Sequence, residues 1–322
     1  MKHLLSIESM PTAKFAEIFA LARGLKATRG RHAEHPLRHK TWGMIFAKSS
    51  TRTRVSFEVG IRELGGDVIY MNIGDIQLGR GEPIIDTARV MGRMLHGAVI
   101  RTFKQSDIED FAEHGKIPTV NALTDDEHPC QIITDIFTFL EKRGPIKGKT
   151  VAFIGDGGCN VPLSWTFAAA KLGFQLRIAS PEKYLPSENV LARARAMAKK
   201  EKSGGQIAVG TSIEDAAKNA DLLYTDTLVS MGKEAEVGQR MRDFEGYQIN
   251  DDVVKLARKD ALVMHCLPAY VGKEISREVF DAHAETIFDQ AENRLHVQKA
   301  ILSLLAKAGT GKELGVRTRR NT

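Results

Sequence analysis

Six consecutive residues, Ser49-Ser50-Thr51-Arg52-Thr53-Arg54, crowd hydroxyl and guanidinium groups into one stretch. The apolar run Trp42 to Phe46 before them reads as a strand. After them Phe57, Ile61 and Leu64 recur at i, i+4 and i+7, so a helix begins there. The free N–H groups and the positive end of that helix point at whatever occupies the junction. Backbone donors, hydroxyls and arginine forks together make an anion site. Ordinary Ser/Thr capping with solvated arginines would also produce these letters, so the stretch has to be weighed with its neighbours.

Four further constellations carry hydrogen-bonding groups at expected strand ends. His128-Pro129-Cys130-Gln131 opens a helix and offers an imidazole and an amide to a bound oxygen; a capping or core histidine is the plainer alternative. Gly155-Asp156-Gly157-Gly158-Cys159-Asn160 follows the strand Val151 to Ile154 and resembles a dinucleotide fingerprint. The match is incomplete: Asn160 replaces the third glycine, and the next strand ends in Ser180-Pro181 without a ribose-binding carboxylate. Asn160 could instead hold a small polar substrate. Thr225-Asp226 ends a strand and leads through Ser230-Met231-Gly232; Asp226 could pair with an amino group under a closing loop, or simply cap a helix. His265-Cys266-Leu267-Pro268 ends another strand. A cis proline there would turn the Leu267 carbonyl into a cavity. Cys266 could be a nucleophile, a proton-relay thiol or a packed apolar residue, and with no base evident beside it the packing role leads.

The elements that must position these groups alternate. Residues 1–40 read as largely helical. Strands are predicted at 42–46, 67–73, 98–102 and 117–121, with helices at 52–64, 84–95 and 105–114 between them. A helix over 131–140 ends in Arg143-Gly144-Pro145, the best domain boundary. A second alternation follows, with strands at 150–154, 174–179, 206–209, 221–225 and 261–265 and helices at 163–172, 187–200, 212–218 and 251–258. Residues 226–247 read as a long loop with some helix, and 291–307 as a last, apolar helix. The expectation is an α/β protein of two domains, each a parallel sheet flanked by helices.

At 322 residues the chain is long enough for two such domains. Its 43% hydrophobic and 27% charged residues are ordinary for a globular protein, and the net charge of +6 is interspersed. That suits acidic small-molecule substrates rather than nucleic acid, which would want a dense basic face. The three cysteines have no metal-ligand or disulfide spacing, so a reducing cytoplasm is expected. No secretory signal or membrane span is read in the sequence.

These motifs together resemble a family. Ser50-Thr51-Arg52-Thr53-Arg54 is similar to the Ser-Thr-Arg-Thr-Arg signature of the aspartate/ornithine carbamoyltransferases, and His128-Pro129-Cys130-Gln131 to their His-Pro-x-Gln. Asp226 with Ser230-Met231-Gly232, and His265-Cys266-Leu267-Pro268, resemble the loops of the ornithine branch, and residues 77–93 also match. The resemblance spans residues 46–300. It implies transfer of the carbamoyl group of carbamoyl phosphate to the side-chain amine of ornithine, giving citrulline and phosphate, with no metal, cofactor or covalent intermediate.

By the same resemblance, Ser50, Thr51, Arg52 and Thr53 hold the phosphate, and Arg101, His128, Gln131, Cys266, Leu267 and Arg294 complete that pocket. Arg52, Arg101, His128 and Cys266 are implied as catalytic. Gln77 falls where a neighbouring subunit's site is reached, which implies a homotrimer or an assembly of trimers. Asn160, Asp226, Ser230 and Met231 are implied to hold ornithine. Residues 1–143, joined by a C-terminal helix at 291–322, form the expected carbamoyl-phosphate domain, and 144–290 the ornithine domain. Departures from the family pattern are Cys159 for a frequent Asn, Thr227-Leu228 for a frequent Val-Trp, Lys233 for Gln and Ser49 for Pro. The rival readings are a carbamoyltransferase for putrescine or acetylornithine, a nucleotide-dependent oxidoreductase and a non-catalytic homologue.

Overall fold

The computed structural model describes residues 1–229 and 234–309. Its first half comprises α1 (Ala13–Ala27), β1 (Thr41–Phe46), α2 (Thr51–Glu63), β2 (Asp67–Asn72), α3 (Ile84–Met94), β3 (Gly97–Arg101), α4 (Gln105–Gly115), β4 (Thr119–Leu123) and α5 (Pro129–Arg143). The second comprises β5 (Thr150–Ile154), α6 (Asn160–Leu172), β6 (Gln175–Ala179), α7 (Glu188–Glu201), β7 (Gln206–Gly210), α8 (Ile213–Ala217), β8 (Leu222–Thr225), α9 (Val237–Asp243), α10 (Asp251–Leu256), β9 (Leu262–His265), α11 (Arg277–Ala282) and α12 (Ala284–Gly309).

Two sheets form, in strand order β2-β1-β3-β4 and β7-β6-β5-β8-β9, and every strand pair is parallel. Parallel strands need crossovers, so helices cover both faces and the central strands are apolar throughout. The alternation is visible in β5: Val151 and Phe153 join one core cluster, Ala152 and Ile154 another. In the first sheet Trp42, Met44 and Phe46 face one cluster while Ile45, Ala98 and Ile100 face a third. The largest cluster draws on both sheets, and on α1, α5, α6 and α12.

In each sheet the chain leaves one strand toward opposite sides, at β1/β3 and at β5/β8. Such switch points open a crevice at the carboxyl ends of the strands. All five constellations follow carboxyl ends: 49–54 after β1, 128–131 after β4, 155–160 after β5, 226 after β8 and 266–268 after β9.

Three expectations need correction. Residues 1–40 are not largely helical. Helix is confined to α1, and the first residues instead lie along β4, with the Leu4 amide donating to the Thr119 carbonyl (2.9 Å) and the Asn121 amide to Leu4 (2.7 Å). The exposed edge of β4 supplied a better partner than a helix could. The strand expected at 117–121 is β4, two residues later: Pro118 has no N–H to give the ladder. The last helix starts at Ala284, before the apolar stripe that announced it. No helix among the described residues is long and apolar enough to cross a membrane.

Candidate active site

Ser50 caps α2 in extended backbone, its Oγ accepting the Thr53 amide at 3.3 Å. Thr51 and Arg52 then occupy the first turn and line one cavity of about 410 Å³. Ser49, Thr53, Arg101, His128, Gln131, Asn160, Asp226, Cys266, Leu267 and Arg294 line the same cavity. So do Lys48, Asp125 and Tyr270, which the sequence did not single out. Arg54 departs from the expectation. Its guanidinium stacks 3.8 Å from the Tyr70 ring centroid and pairs with Glu58, and it does not line the cavity. On a helix, successive residues point about 100° apart, so Arg52 and Arg54 cannot share a face. Gln77 is exposed, in a 3-10 turn over Gln77–Arg80, and does not line its own chain's cavity. Ser230 and Met231 lie outside the described residues.

One wall is cationic. Arg294, from α12, donates to Thr53 Oγ1 (3.1 Å) and to the Gln131 amide oxygen. With the Gln298 amide turned so that its oxygen faces Arg294, it accepts from Nε at 3.2 Å. The Arg101 pKa is lowered to about 10, by burial first and then by the charges of Arg294 and Arg52. It therefore stays charged at neutral pH. Three guanidinium groups are held close enough to oppose one another, an arrangement that a bound anion relieves. Lys48 adds a fourth cation, buried, paired with exposed Asp125 and 4.3 Å from the Phe103 ring centroid. Its place two residues before Ser50 was the available signal.

His128 sits at the N-cap position of α5, but its side chain makes no cap bond. Its backbone amide donates to Ser164 Oγ (2.9 Å), and Nδ1 is buried without a hydrogen-bond partner among the described residues. Burial, then the charges of Arg294 and Arg101, hold its pKa well below the ordinary value, so the ring is neutral.

The same cavity also holds a carboxyl and a thiol, both close enough to act on Arg101. Cys266 Sγ donates to Asp226 Oδ1 at 2.8 Å, and the Thr227 amide donates to the same oxygen at 2.7 Å. Simple packing therefore does not describe Cys266: its partner lies 40 residues earlier in the chain. Burial, reinforced by Asp226, pushes its thiol well up, so it is a neutral donor and not a thiolate. Burial likewise raises Asp226. The Leu267–Pro268 bond is cis, as the motif allowed, and both residues line the cavity. Asn160 Nδ2 donates to the Thr124 carbonyl (2.6 Å), tying the second sheet's loop to the first's.

Behind the cavity a buried network joins the walls. Asp135 accepts from Gln131 (2.8 Å), Tyr224 (2.8 Å) and Gln290 (2.7 Å), and Gln290 accepts the His265 amide at 3.1 Å. Burial pushes the Asp135 carboxyl up to about 7, against those three donors. A raised carboxyl binds its proton more tightly folded than unfolded. The stability it contributes is present below the ordinary carboxylate range and is lost as pH rises through about 7. Asp135→Asn should therefore lose less stability than the parent between pH 5 and pH 8, by about 1–3 kcal/mol. Chemical denaturation at both pH values measures this, and equal losses would remove Asp135 as the cause.

Three arginines and a carboxyl–thiol pair line one cavity at the ends of two parallel sheets, an arrangement suited to an enzyme acting on an anionic substrate. The chain belongs to the aspartate/ornithine carbamoyltransferase family and is a transferase. The family's carbamoyl-P binding domain matches residues 2–141, and its Asp/Orn binding domain residues 147–305. An ornithine carbamoyltransferase of Akkermansia muciniphila is 48% identical over 97% of this chain and 100% of its own. The crystal structure of the anabolic ornithine carbamoyltransferase from Campylobacter jejuni has a TM-score of 0.90 at 41% identity, covering 96% of this chain and 100% of that one. The ornithine carbamoyltransferase from Pyrococcus furiosus gives 0.89 at 42% identity, over 95% and 97% of the two chains.

Proposed function

We propose that this protein is an ornithine carbamoyltransferase, which transfers the carbamoyl group of carbamoyl phosphate to the side-chain amine of L-ornithine and yields L-citrulline and phosphate. One observation carries the reading: an arginine-lined anion site and the Asp226–Cys266 pair face a single cavity of about 410 Å³. Relatives named for that reaction align along nearly the whole chain.

In this reading Ser50, Thr51, Arg52, Thr53 and Arg101 hold the phosphate at the start of α2. His128, Gln131, Cys266, the Leu267 carbonyl and Arg294 surround the carbamoyl group. The amine attacks the carbamoyl carbon, and negative charge grows on the carbonyl oxygen and on the departing phosphate. Arg52, Arg101, Arg294 and neutral His128 are aimed at that charge, commonly the largest contribution to catalysis. Holding both reactants together adds proximity. The amine must shed a proton to attack. Asp226, its pKa raised by burial, is the nearby acceptor, and Cys266 orients it. Asn160 and Asp226, with Ser230 and Met231 beyond the described residues, hold ornithine.

Residues 1–143 with the C-terminal helix would be the carbamoyl-phosphate domain, and 144–290 the ornithine domain; the packing of α12 on α1, α2 and α5 supports this division. A homotrimer is favoured by exposed Gln77 and by exposed Val55, Ile69, Val90 and Met94 on α2, β2 and α3. The wide spacing of Cys130, Cys159 and Cys266 along the chain suits a cytoplasmic place in arginine metabolism.

Purified protein given carbamoyl phosphate and, separately, ornithine, putrescine, acetylornithine or aspartate should form a ureido product chiefly from ornithine. Product from another of these amines but none from ornithine would overturn the substrate assignment.

A further inference from the structure

Cys266, Leu267, Pro268 and Tyr270 line the cavity, yet none of them belongs to a helix or strand. Something must hold their backbone, because a loop's amides are otherwise free to exchange partners with water. The partner is Glu274. Its side chain is fully buried, and Oε1 accepts from the Tyr270 amide at 2.6 Å and faces His265 Nε2 at 3.2 Å. His265 is buried too, and its Nδ1 accepts the Leu267 amide at 2.8 Å. An amide can only donate, so Nδ1 carries the lone pair and Nε2 the proton, which it gives to Glu274. One carboxyl oxygen thus fixes the Tyr270 amide directly and the Leu267 amide through the imidazole.

Glu274 is itself well anchored. The Ile249 amide donates to its carbonyl at 2.9 Å, the Gly272 amide donates to Ile275 at 2.8 Å, and Gln248 Nε2 holds the Gly272 and Lys273 carbonyls. Its other oxygen, Oε2, is buried without a hydrogen-bond partner among the described residues. An unsatisfied buried oxygen is costly, which argues that the carboxyl is retained for what Oε1 does and not for stability alone.

We infer that Glu274 is a positioning residue for the transfer reaction. It locks the His265 tautomer and, through it, the placement of Cys266 and the Leu267 carbonyl around the carbamoyl group. The inference rests on the carbamoyl-transfer reading above, but its first test needs no substrate.

Imidazole nitrogen NMR of the parent should show His265 as the neutral tautomer protonated at Nε2. Glu274→Leu should lose that fixed tautomer, with signals averaged or shifted toward the Nδ1-protonated form. Glu274→Gln, which keeps an acceptor oxygen, should retain it. In the assay Glu274→Leu should lower kcat by about 100-fold, the scale of a small misplacement of reacting groups. Phosphate affinity, read by calorimetry, should stay within about 2-fold, and Glu274→Gln should keep kcat within about 5-fold. The inference is overturned if Glu274→Leu keeps the parental tautomer or the parental kcat. It is equally overturned if folded Glu274→Gln loses as much activity as folded Glu274→Leu. A parent that forms no citrulline but shows the tautomer contrast would instead count against the proposed function.

Discussion

Arg52→Ala should lower kcat/KM for carbamoyl phosphate by about 1000-fold while leaving the thermal midpoint nearly unchanged. Removing one donor from a preorganised anion site costs about 100- to 1000-fold, and a guanidinium also removes a full charge. The upper end is expected because Arg52 serves the phosphate both before and after the bond breaks. Stability should hold because Arg52 is half-buried and its loss relieves repulsion on Arg101 and Arg294. Steady-state kinetics with a parallel melting curve make the measurement. Activity within 10-fold of the parent would remove the first turn of α2 from the phosphate site. A collapse in melting temperature would recast Arg52 as structural.

Asp226→Asn tests the carboxyl of the same cavity. It should lower kcat by about 100- to 1000-fold and weaken ornithine, while inorganic phosphate binds as before. Asparagine keeps an oxygen for the Thr227 amide and the Cys266 thiol, so the local hydrogen bonds survive. What is lost is the group that can take a proton or pair with an ammonium. The defect should not disappear at high pH if Asp226 mainly orients the amine. If it only accepts the proton, raising the pH should recover most of the rate, since the free amine is then supplied by solvent. Loss of phosphate affinity equal to the loss of kcat would show that the arginines and Asp226 do not divide the substrates.

Much of this arrangement was readable in the residues, for a physical reason. Strands buried on both faces are continuous apolar runs, so Trp42 to Phe46 and Val151 to Ile154 announced themselves. The motif loops follow such runs, and capping alone does not explain why their hydroxyl, guanidinium and imidazole groups line one cavity. Partnerships across the chain left no comparable mark. Asp135 sits among apolar residues of α5 and looks like one turn of a polar face; its partners Tyr224 and Gln290 lie 89 and 155 residues away. The Asp226–Cys266 bond was hidden in the same way, and so Cys266 read as packing. The first ten residues misled because a segment this short shows no decisive period, although Leu4, Ile7 and Met10 are buried. Its conformation was decided by the open edge of β4 and by Glu127, whose carboxyl accepts the Ile7 and Glu8 amides at 2.7 and 3.2 Å.

The placement of Arg294 on α12 bears on how the protein is made. Thr53, which that guanidinium touches, is synthesised in the first fifth of the chain, and its partner arrives 241 residues later. The ribosome therefore finishes every strand of both sheets before the pocket acquires Arg294. A stop codon between His265 and Arg294 leaves both sheets encoded in full and the pocket without that charge. For this protein, a reading frame preserved through Arg294 is a condition of completing the arginine-lined pocket.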